Sequence, residues 1–265
     1  MTPTALSDDQ IARLDPYAFM AVLGKRVIHP GGRRSTREMI RRAIFQPGMQ
    51  VLDVGCGVGT TAIELAQRFG CRVTALDIDQ LMLDRARANV MATRASGVEV
   101  AAGDIQALHY PDGTFDVVLV EAVTMFVDRP RAAAEVVRVC RPGGQVLEHE
   151  FIYRHPPTPQ IRQIFEGDVC PGIRFDTAGD WQQLYLTAGL REIALVTGPF
   201  VMMTPWGMLR DEGLLNTATM MSRVLSRRAY RKKMTWLAGR MVRVMPYLGY
   251  VVLAGKKPTN NIGAA

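Results

Sequence analysis

Residues 51–60 read Val-Leu-Asp-Val-Gly-Cys-Gly-Val-Gly-Thr, and this stretch decides the fold. Its apolar start predicts a buried strand, and the glycines at positions 55, 57 and 59 predict a tight turn into a helix. Glycine has no Cβ, so the backbone of such a turn can approach a ligand closely. In open α/β sheets, ligands bind at the carboxyl ends of the strands, which is where this turn would lie.

Short apolar runs alternate with helical segments on both sides of this stretch. Seven runs are predicted to be strands: 50–54, 72–76, 98–102, 115–120, 145–150, 191–196 and 250–255. Three intervening helices are predicted at 61–69, 81–93 and 131–140. Strands separated by helices of this length form parallel sheets with right-handed crossovers, and continuous apolar runs suit strands buried on both faces. The sequence therefore predicts an α/β fold with a seven-stranded, mostly parallel sheet and helices on both faces.

The predicted organisation has five parts. They are an N-terminal helical cap at 1–46, an α/β core at 47–199, a helical lid at 200–248, a final strand at 249–258 and a disordered tail at 259–265. In the cap, Asp15 and Pro16 mark a helix start, and Ser35 or Thr36 is expected to cap a helix that begins at Arg37. The lid is too long for a plain connection, and we expect it to cover the active edge of the sheet.

The composition fits a globular protein, with 48% hydrophobic and 22% charged residues among 265. No apolar run approaches the roughly 18 residues that span a bilayer, and the polar, acidic start lacks the features of a signal peptide. We therefore expect a cytoplasmic protein. The four cysteines form no CxxC pair and have no histidines at zinc-ligand spacing, so the sequence shows no metal-binding motif and leaves a metal requirement open.

The formal net charge of +7 is concentrated near the start of the chain and between residues 223 and 243. A basic balance suits a nucleic acid, a membrane surface or an anionic substrate. One helical face, with most basic side chains off it, carries apolar side chains at helical spacing: Tyr230, Met234, Leu237, Met241 and Val244. This pattern favours an amphipathic helix packed on the protein, and peripheral contact of a methionine-rich lid with a membrane or an anionic substrate stays open as the alternative.

The second strand is followed by Asp77, whose carboxylate could accept hydrogen bonds from both hydroxyls of a ribose. Together with the glycine turn, it indicates a cofactor that contains a nucleoside. A dinucleotide fingerprint would place its third glycine at residue 60, where this chain has Thr60. Asp53, just before the glycines, would repel a pyrophosphate but suits a ligand with an ammonium and a sulfonium. The pattern therefore disfavours NAD.

These motifs resemble those of the class I S-adenosylmethionine-dependent methyltransferases, particularly the small-molecule branch of the quinone, tocopherol and sterol enzymes. The match runs from about residue 47 to 150. The resemblance implies a Rossmann-like fold with S-adenosyl-L-methionine as cofactor. It implies that Gly55, Cys56 and Gly57 hold the methionine part, that Asp77 holds the ribose, and that Ile78 packs on the adenine.

Further segments extend the resemblance. Asp104 and Ile105 follow the third strand and look like the motif that pairs with the adenine amino group, while Asp53 and Glu121 complete the expected cofactor site. Relatives often carry Glu-His after the fourth strand, where this chain has Met125 and Phe126. These two residues are expected to form an apolar wall, which favours a partly apolar acceptor. The Asn/Asp-Pro-Pro-Tyr signature of enzymes that methylate amino groups of adenine or glutamine is absent.

Methyl transfer from a sulfonium needs alignment of the reactants and exclusion of water, and it needs a base only when the acceptor must lose a proton. Glu121 and Glu150, at the ends of the fourth and fifth strands, are candidate catalytic bases. The alternative is that Glu121 binds the cofactor and that an acid of the fifth strand only orders a loop. Strand alternation places Glu148 on the same side as Glu150. His29 resembles a His-x-Gly turn that lies over the cofactor in tocopherol- and sterol-type relatives, and a plain turn histidine is the alternative.

Tyr17, Tyr153 and Trp181 are candidates for shaping an acceptor pocket, although aromatic residues often serve packing alone. The sequence as a whole predicts methyl transfer to a small, partly apolar acceptor of natural-product, lipid, isoprenoid or quinone type. An RNA methyltransferase that uses the basic segments is the first alternative, although nucleic acid is not the expected partner. A non-catalytic S-adenosylmethionine-binding protein is the second. No oligomeric state is predicted.

Overall fold

The computed structural model describes residues 6–175 and 177–259. The α-helices in this part of the chain are α1 (Asp8–Arg13), α2 (Pro16–Leu23), α3 (Gly32–Ile40), α4 (Thr60–Phe69), α5 (Gln80–Thr93), α6 (Arg129–Val139), α7 (Pro159–Arg162), α8 (Ala178–Thr187), α9 (Pro205–Ser226) and α10 (Arg228–Val244). The strands are β1 (Gln50–Val54), β2 (Arg72–Asp77), β3 (Val98–Ala102), β4 (Phe115–Glu121), β5 (Cys140–Tyr153), β6 (Arg191–Pro199) and β7 (Leu248–Lys256). A 3₁₀ turn (Thr124–Phe126) follows β4, and a π-helical segment (Gln163–Val169) follows α7.

The seven strands form one sheet in the order β3-β2-β1-β4-β5-β7-β6. The central strand β1 pairs in parallel with β2 and β4, which in turn pair in parallel with β3 and β5. Asp53 lies opposite Ala75 on one side and Leu119 on the other, so β1, β2 and β4 end at the same edge. The predicted α/β fold with a seven-stranded, mostly parallel sheet is confirmed.

Apolar side chains cover both faces of the central strands. Leu52 and Val118 belong to one buried cluster, whereas their sequence neighbours Val51 and Val117 belong to another. Successive residues of a strand point to opposite faces, so each cluster forms the core on one side of the sheet. The continuous apolar runs are explained by this double burial.

The chain divides into two compact units. The first contains the residues up to Arg33, Tyr153–Arg174 and Pro199–Gly249. The second contains Arg34–Ile152, Phe175–Gly198 and the residues from Tyr250 onward, and it includes most of the sheet. The segment Tyr153–Arg174, which the sequence analysis placed in the α/β core, thus groups with the N-terminal helices and with α9 and α10.

The first unit is mostly helical. Asp15 caps α2 as predicted, since its carboxylate accepts the backbone N–H groups of Tyr17 and Ala18. The predicted helical insertion before the last strand is confirmed as α9 and α10, which are joined by the extended residue Arg227. A kink interrupts α9 at Gly213, whose φ is 76°.

One helix start differs from its prediction. We expected Ser35 or Thr36 to cap a helix from Arg37, but α3 already begins at Gly32 and contains both residues. The backbone N–H of Arg33 in its first turn donates to the carboxylate of Asp211, at 3.2 Å. Because that acceptor lies 178 residues away, local sequence could not reveal the start.

None of the helices among residues 6–175 and 177–259 is both long enough and apolar enough to cross a membrane. The predicted disordered tail begins at Thr259, and its remaining positions, 260–265, lie outside the described residues.

Candidate active site

The glycine turn after β1 requires glycine at several positions. Gly55, Gly57 and Gly59 have φ values of 70°, 54° and 77°, a region that side chains with a Cβ rarely occupy. A Cβ on Gly55 would lie 2.1 Å from Cγ2 of Val123, in the segment after β4, whereas a Cβ on Gly57 would meet no atom within 4 Å. The turn is thus packed tightly at Gly55 and open at Gly57.

Asp77, the last residue of β2, holds this turn in place. One carboxylate oxygen accepts the backbone N–H of Gly57 at 2.8 Å, and the other accepts that of Asp79 at 2.9 Å. Burial raises the pKa of Asp77, and the backbone hydrogen bonds oppose that rise by favouring the carboxylate. The carboxylate therefore lies directly beside the open side of the turn.

Three acidic side chains gather at this edge of the sheet. Asp53 is buried, and its Oδ2 atom has no hydrogen-bond partner among the residues that the structure describes. Burial raises the pKa of Asp53 well above its usual range, and the negative charges of Glu121 and Asp77 raise it further. A cationic ligand would relieve this repulsion and return Asp53 to its charged form.

Glu121, at the end of β4, is held by its neighbours in the second unit. Its two carboxylate oxygens accept the hydroxyl groups of Thr36 and Thr61, each at 2.8 Å. The ring Nδ1 of His149 lies 3.5 Å from one of these oxygens. The sequence predicted a site role for Glu121, only a capping role for Thr36 and no role for Thr61. The available signal for Thr61 was its position in the first turn of the helix after the glycine turn.

The residues expected to contact adenine have different environments. Ile78 is 74% exposed immediately after β2, which is unusual for a large apolar side chain and leaves it available to a ligand. Asp104 accepts the backbone N–H of Gln106 at 2.9 Å and keeps partial exposure. Ile105, in contrast, is buried in an apolar cluster of the sheet, so its side chain serves the core.

Cys56, in the middle of the turn, is a free, half-buried cysteine. Burial raises the pKa of its thiol, and the charges of Asp53 and Asp77 raise it further. The thiolate is the nucleophilic form of cysteine, so this environment keeps the side chain unreactive.

Glu150, a candidate catalytic residue of the sequence analysis, is completely buried in β5. Its Oε1 accepts the backbone N–H of Val123 at 2.9 Å. Its neighbour on the same side, Glu148, is also buried and accepts the hydroxyl of Tyr185 at 2.5 Å. Strand alternation indicated which side both glutamates share, but it carries no information on how deeply that side is covered. Tyr185 left no signal in the sequence.

Burial raises the pKa of Glu148 to about 7. Burial also raises the pKa of Glu150, and the charge of Glu148 raises it further. The atoms Oε1 of Glu148 and Oε2 of Glu150 are buried without a hydrogen-bond partner among the described residues. A single proton held between the two carboxyls would pair both atoms. The arrangement is therefore suited to holding a proton inside the protein rather than to accepting one from a substrate.

The predicted pocket aromatics are largely used in packing. Trp181 is buried in the second unit, and its indole N–H donates to the carbonyl of Phe151 at 2.9 Å. Tyr153 is buried in the first unit, and its hydroxyl donates to Glu166 at 2.8 Å. Tyr17 and His29 are half-buried in the first unit. Direct contact of Trp181 or Tyr153 with an acceptor is thus not supported, because both side chains are enclosed by the protein.

The expected apolar wall after β4 is smaller than predicted. Met125 is buried in the core, and only Phe126 remains substantially exposed. Val123, which contacts Gly55, is half-buried. Val123 therefore supplies apolar surface at the glycine turn, and Phe126, which follows in the same 3₁₀ turn, supplies exposed apolar surface.

Comparison with known proteins agrees with this geometry. Residues 51–144, from β1 into β5, match the family described as methyltransferase domain. An uncharacterized protein of Haemophilus influenzae is 30% identical over 205 residues, which cover 76% of this chain and 82% of that protein. The phosphoethanolamine N-methyltransferase 1 of Arabidopsis thaliana is 32% identical over 142 residues, or 53% of this chain, but the match spans only 28% of the plant enzyme.

The chain therefore carries a methyltransferase domain over residues 51–144. The fold agrees: a methyltransferase from Geobacter sulfurreducens in complex with S-adenosyl-L-homocysteine superposes with a TM-score of 0.71, at 20% identity, over 92% of this chain and 98% of that one. The molecule bound to that neighbour, S-adenosyl-L-homocysteine, is the product that remains when the cofactor S-adenosylmethionine has given up its methyl group.

The second unit contains features that fit this cofactor. The buried Oδ2 of Asp53 lacks a partner, the turn is open at Gly57, and Ile78 is exposed next to the Asp77 carboxylate. The cationic part of such a molecule could lie near Asp53, its ribose near Asp77 and its purine against Ile78.

Proposed function

We propose that this methyltransferase acts on a small, partly apolar acceptor, and that its cofactor lies along the ends of β1, β2 and β4. The observation that carries the proposal is the surface beside the glycine turn. There Val123 contacts Gly55, and Phe126, whose backbone N–H donates to the carbonyl of Val123, remains exposed. Such a surface suits an acceptor with an apolar body.

Each part of the cofactor is assigned to named residues. Gly55, Cys56 and Gly57 would hold the methionine part, with Asp53 and Glu121 supplying negative charge near its cationic groups. The carboxylate of Asp77 would accept the ribose hydroxyls. Ile78 would pack on the adenine, and Asp104 would accept the adenine amino group.

The residues of this chain contribute mainly by binding and orientation. The bound cofactor supplies a methyl group attached to a sulfonium, and transfer of that methyl group converts the sulfonium to a neutral thioether. The carboxylates orient the positive end, and Val123 and Phe126 exclude water from one side. Since Glu150 is enclosed, we assign it no contact with the acceptor. Of the two candidate glutamates, Glu121 is then the one that could accept a proton from an acceptor.

Formation of S-adenosylhomocysteine with a panel of acceptors tests the proposal. The panel comprises apolar phenols and quinols, isoprenoid alcohols, simple amines and phosphoethanolamine. We expect turnover with members of the apolar classes. Phe126→Ser should lower kcat/KM for these acceptors by tenfold or more, which is on the order of the free energy of one lost apolar side-chain contact. Ile44→Ser, at another exposed apolar side chain, is the matched control.

Two outcomes would overturn the acceptor assignment. One is a preference for phosphoethanolamine over every apolar acceptor, the acceptor that the name of the plant relative states. The other is methylation of RNA with no turnover of any small molecule. Binding of the cofactor without transfer to any small molecule of the panel or to RNA would also count against it.

A further inference from the structure

The helices α9 and α10 carry an exposed surface that methyl transfer does not explain. On α9, after the kink, Leu214, Ala218, Met221 and Leu225 recur at i, i+4, i+7 and i+11, and all four are exposed. This spacing places them along one side of the helix. Leu214 and the adjacent Leu215 are 72% and 84% exposed. An apolar stripe of this kind marks an interaction surface.

The first turn of α9 extends the apolar surface. Trp206 is 72% exposed, and Leu209, three residues later, is also exposed. Tryptophan is favoured at the boundary between water and lipid because its ring is apolar and its N–H is polar. We define the α9 surface as Trp206, Leu209, Leu214, Leu215, Met221 and Leu225.

The charge of the same two helices has one sign. Residues 205–244, all within the described part of the chain, contain nine lysines and arginines but only two acids, Asp211 and Glu212. Both acids are buried and serve the unit itself: Glu212 pairs with Lys25, and Asp211 binds Arg33. The described residues of these two helices therefore carry no exposed carboxylate of their own. Arg227 pairs with Asp8 and Arg240 with Asp168 of neighbouring segments, which leaves the other exposed cations to set the charge of the surface.

The cations on α10 lie on its solvent side. Arg228, Lys232 and Arg243 are exposed, whereas Leu237, Met241 and Val244 are buried. The buried set is the apolar face recognised in the sequence, and the exposed set lies away from it. Since α9 and α10 pack against each other and are joined by one residue, exposed leucines and exposed cations belong to one helical hairpin.

We propose that this hairpin docks on membranes that contain anionic lipid. Lipid acyl chains would receive the α9 surface, and anionic headgroups would pair with Arg228, Lys232 and Arg243. Amphipathic helices with Trp and Leu on one side and Lys and Arg on the other bind membrane interfaces in this way. A nucleic acid would use the cations but gives the exposed leucines no partner, and a second copy of the chain would place like charges close together.

Vesicle binding of the full-length protein tests the docking. We expect association with vesicles of phosphatidylcholine and about one-third phosphatidylglycerol, and little association with phosphatidylcholine alone. Each removed cation should weaken binding by about fivefold, so Arg228→Gln with Lys232→Gln should lose more than tenfold. Arg41→Gln, at an exposed arginine of the second unit, should change binding far less.

The apolar half of the surface has its own variant. Leu214→Gln with Leu215→Gln should weaken binding by tenfold or more, on the order of two lost buried side chains. Met91→Gln is the matched control, since Met91 is 80% exposed on α5 in the second unit. In addition, vesicles should shift the fluorescence of Trp206 to shorter wavelength, and Trp206→Phe should abolish the shift while Trp236→Phe retains it.

Four results would overturn the proposal. The first is vesicle binding that does not depend on anionic lipid, and the second is vesicle binding that is unaffected by the leucine changes in a folded variant. The third is binding to RNA that depends on the cations alone. The fourth is self-association that the leucine changes abolish, with no binding to vesicles. Methyl transfer in solution is measured separately, so its failure would not be mistaken for failure of the docking.

Discussion

The carboxylate of Glu150 accepts the backbone N–H of Val123 at 2.9 Å, and Val123 in turn contacts Gly55. A buried acid on β5 is thereby linked through one residue to the glycine turn after β1. Because its partner Glu148 is also buried, the pair favours a shared proton. Glu150 is thus a positioning residue for the turn.

The pair should make stability depend on pH. Burial raises the pKa of Glu150 well above its ordinary value, so the unfolded chain loses this proton at lower pH than the folded chain. The free energy of unfolding should therefore fall as pH rises above the ordinary glutamate range, by up to about 1.4 kcal/mol per pH unit. Glu150→Gln cannot ionise and should reduce this slope, as measured by urea denaturation from pH 4 to 8.

Glu99→Gln, at an exposed glutamate of β3, is the matched control and should leave the slope unchanged. Because glutamine retains an oxygen that can accept the Val123 N–H, the variant should also keep its affinity for the cofactor. An unaltered slope in folded Glu150→Gln would show that Glu150 is ionised in the native protein.

In the glycine turn, protein packing requires glycine at position 55, whereas we expect the bound ligand to require it at position 57. In Gly55→Ala the new Cβ would clash with Val123 in a strained conformation, and the free energy of unfolding should fall by roughly 2–4 kcal/mol. In Gly57→Ala the space is open, and only strain of about 1 kcal/mol is expected. Denaturation and cofactor titration measure both effects.

The affinity for S-adenosylhomocysteine should fall tenfold or more in Gly57→Ala, since the Cβ would lie where the cofactor is expected. A larger loss of stability in Gly57→Ala than in Gly55→Ala, with affinity retained, would place the ligand elsewhere.

Buried charge stabilises the first unit. Lys25 and Glu212 form an ion pair at 3.4 Å with both side chains fully enclosed, and Glu212 also accepts the N–H groups of Arg26 and Val27. Glu212→Ala should lower the free energy of unfolding by roughly 3–5 kcal/mol, because Lys25 would remain buried without its partner. Adding Lys25→Met should recover part of that loss.

The exposed pair Lys256–Glu192 is the natural comparison, at 2.6 Å. Lys256→Ala should cost less than about 1 kcal/mol by the same denaturation measurement. Equal losses at the two sites would mean that the buried pair contributes no more than a surface one.

The sequence predicted the sheet well because local signals coincide there. β1 and β3 have the predicted bounds, and β2 and β4 each extend one residue further. The glycine turn and Asp77 were likewise visible, since both depend on short-range pattern and on the rule that parallel strands end at a common edge.

Depth and long-range contacts were not predictable. Strand alternation placed Glu150 on the correct side but did not reveal that the side is fully covered, and the same limit applies to Trp181 and Met125. The early start of α3 depends on Asp211, which is distant in sequence. In each case another part of the chain supplies the contact that decides the outcome.

The most direct test of the cofactor site is calorimetric titration of wild-type protein, Asp77→Ala and the exposed control Asp84→Ala with S-adenosylhomocysteine. We expect one binding site in the wild type, unchanged affinity in Asp84→Ala, and affinity weaker by about tenfold or more in Asp77→Ala, on the order of a lost charge-assisted hydrogen bond. Wild-type affinity in folded Asp77→Ala, or no heat of binding in the wild type, would contradict the account.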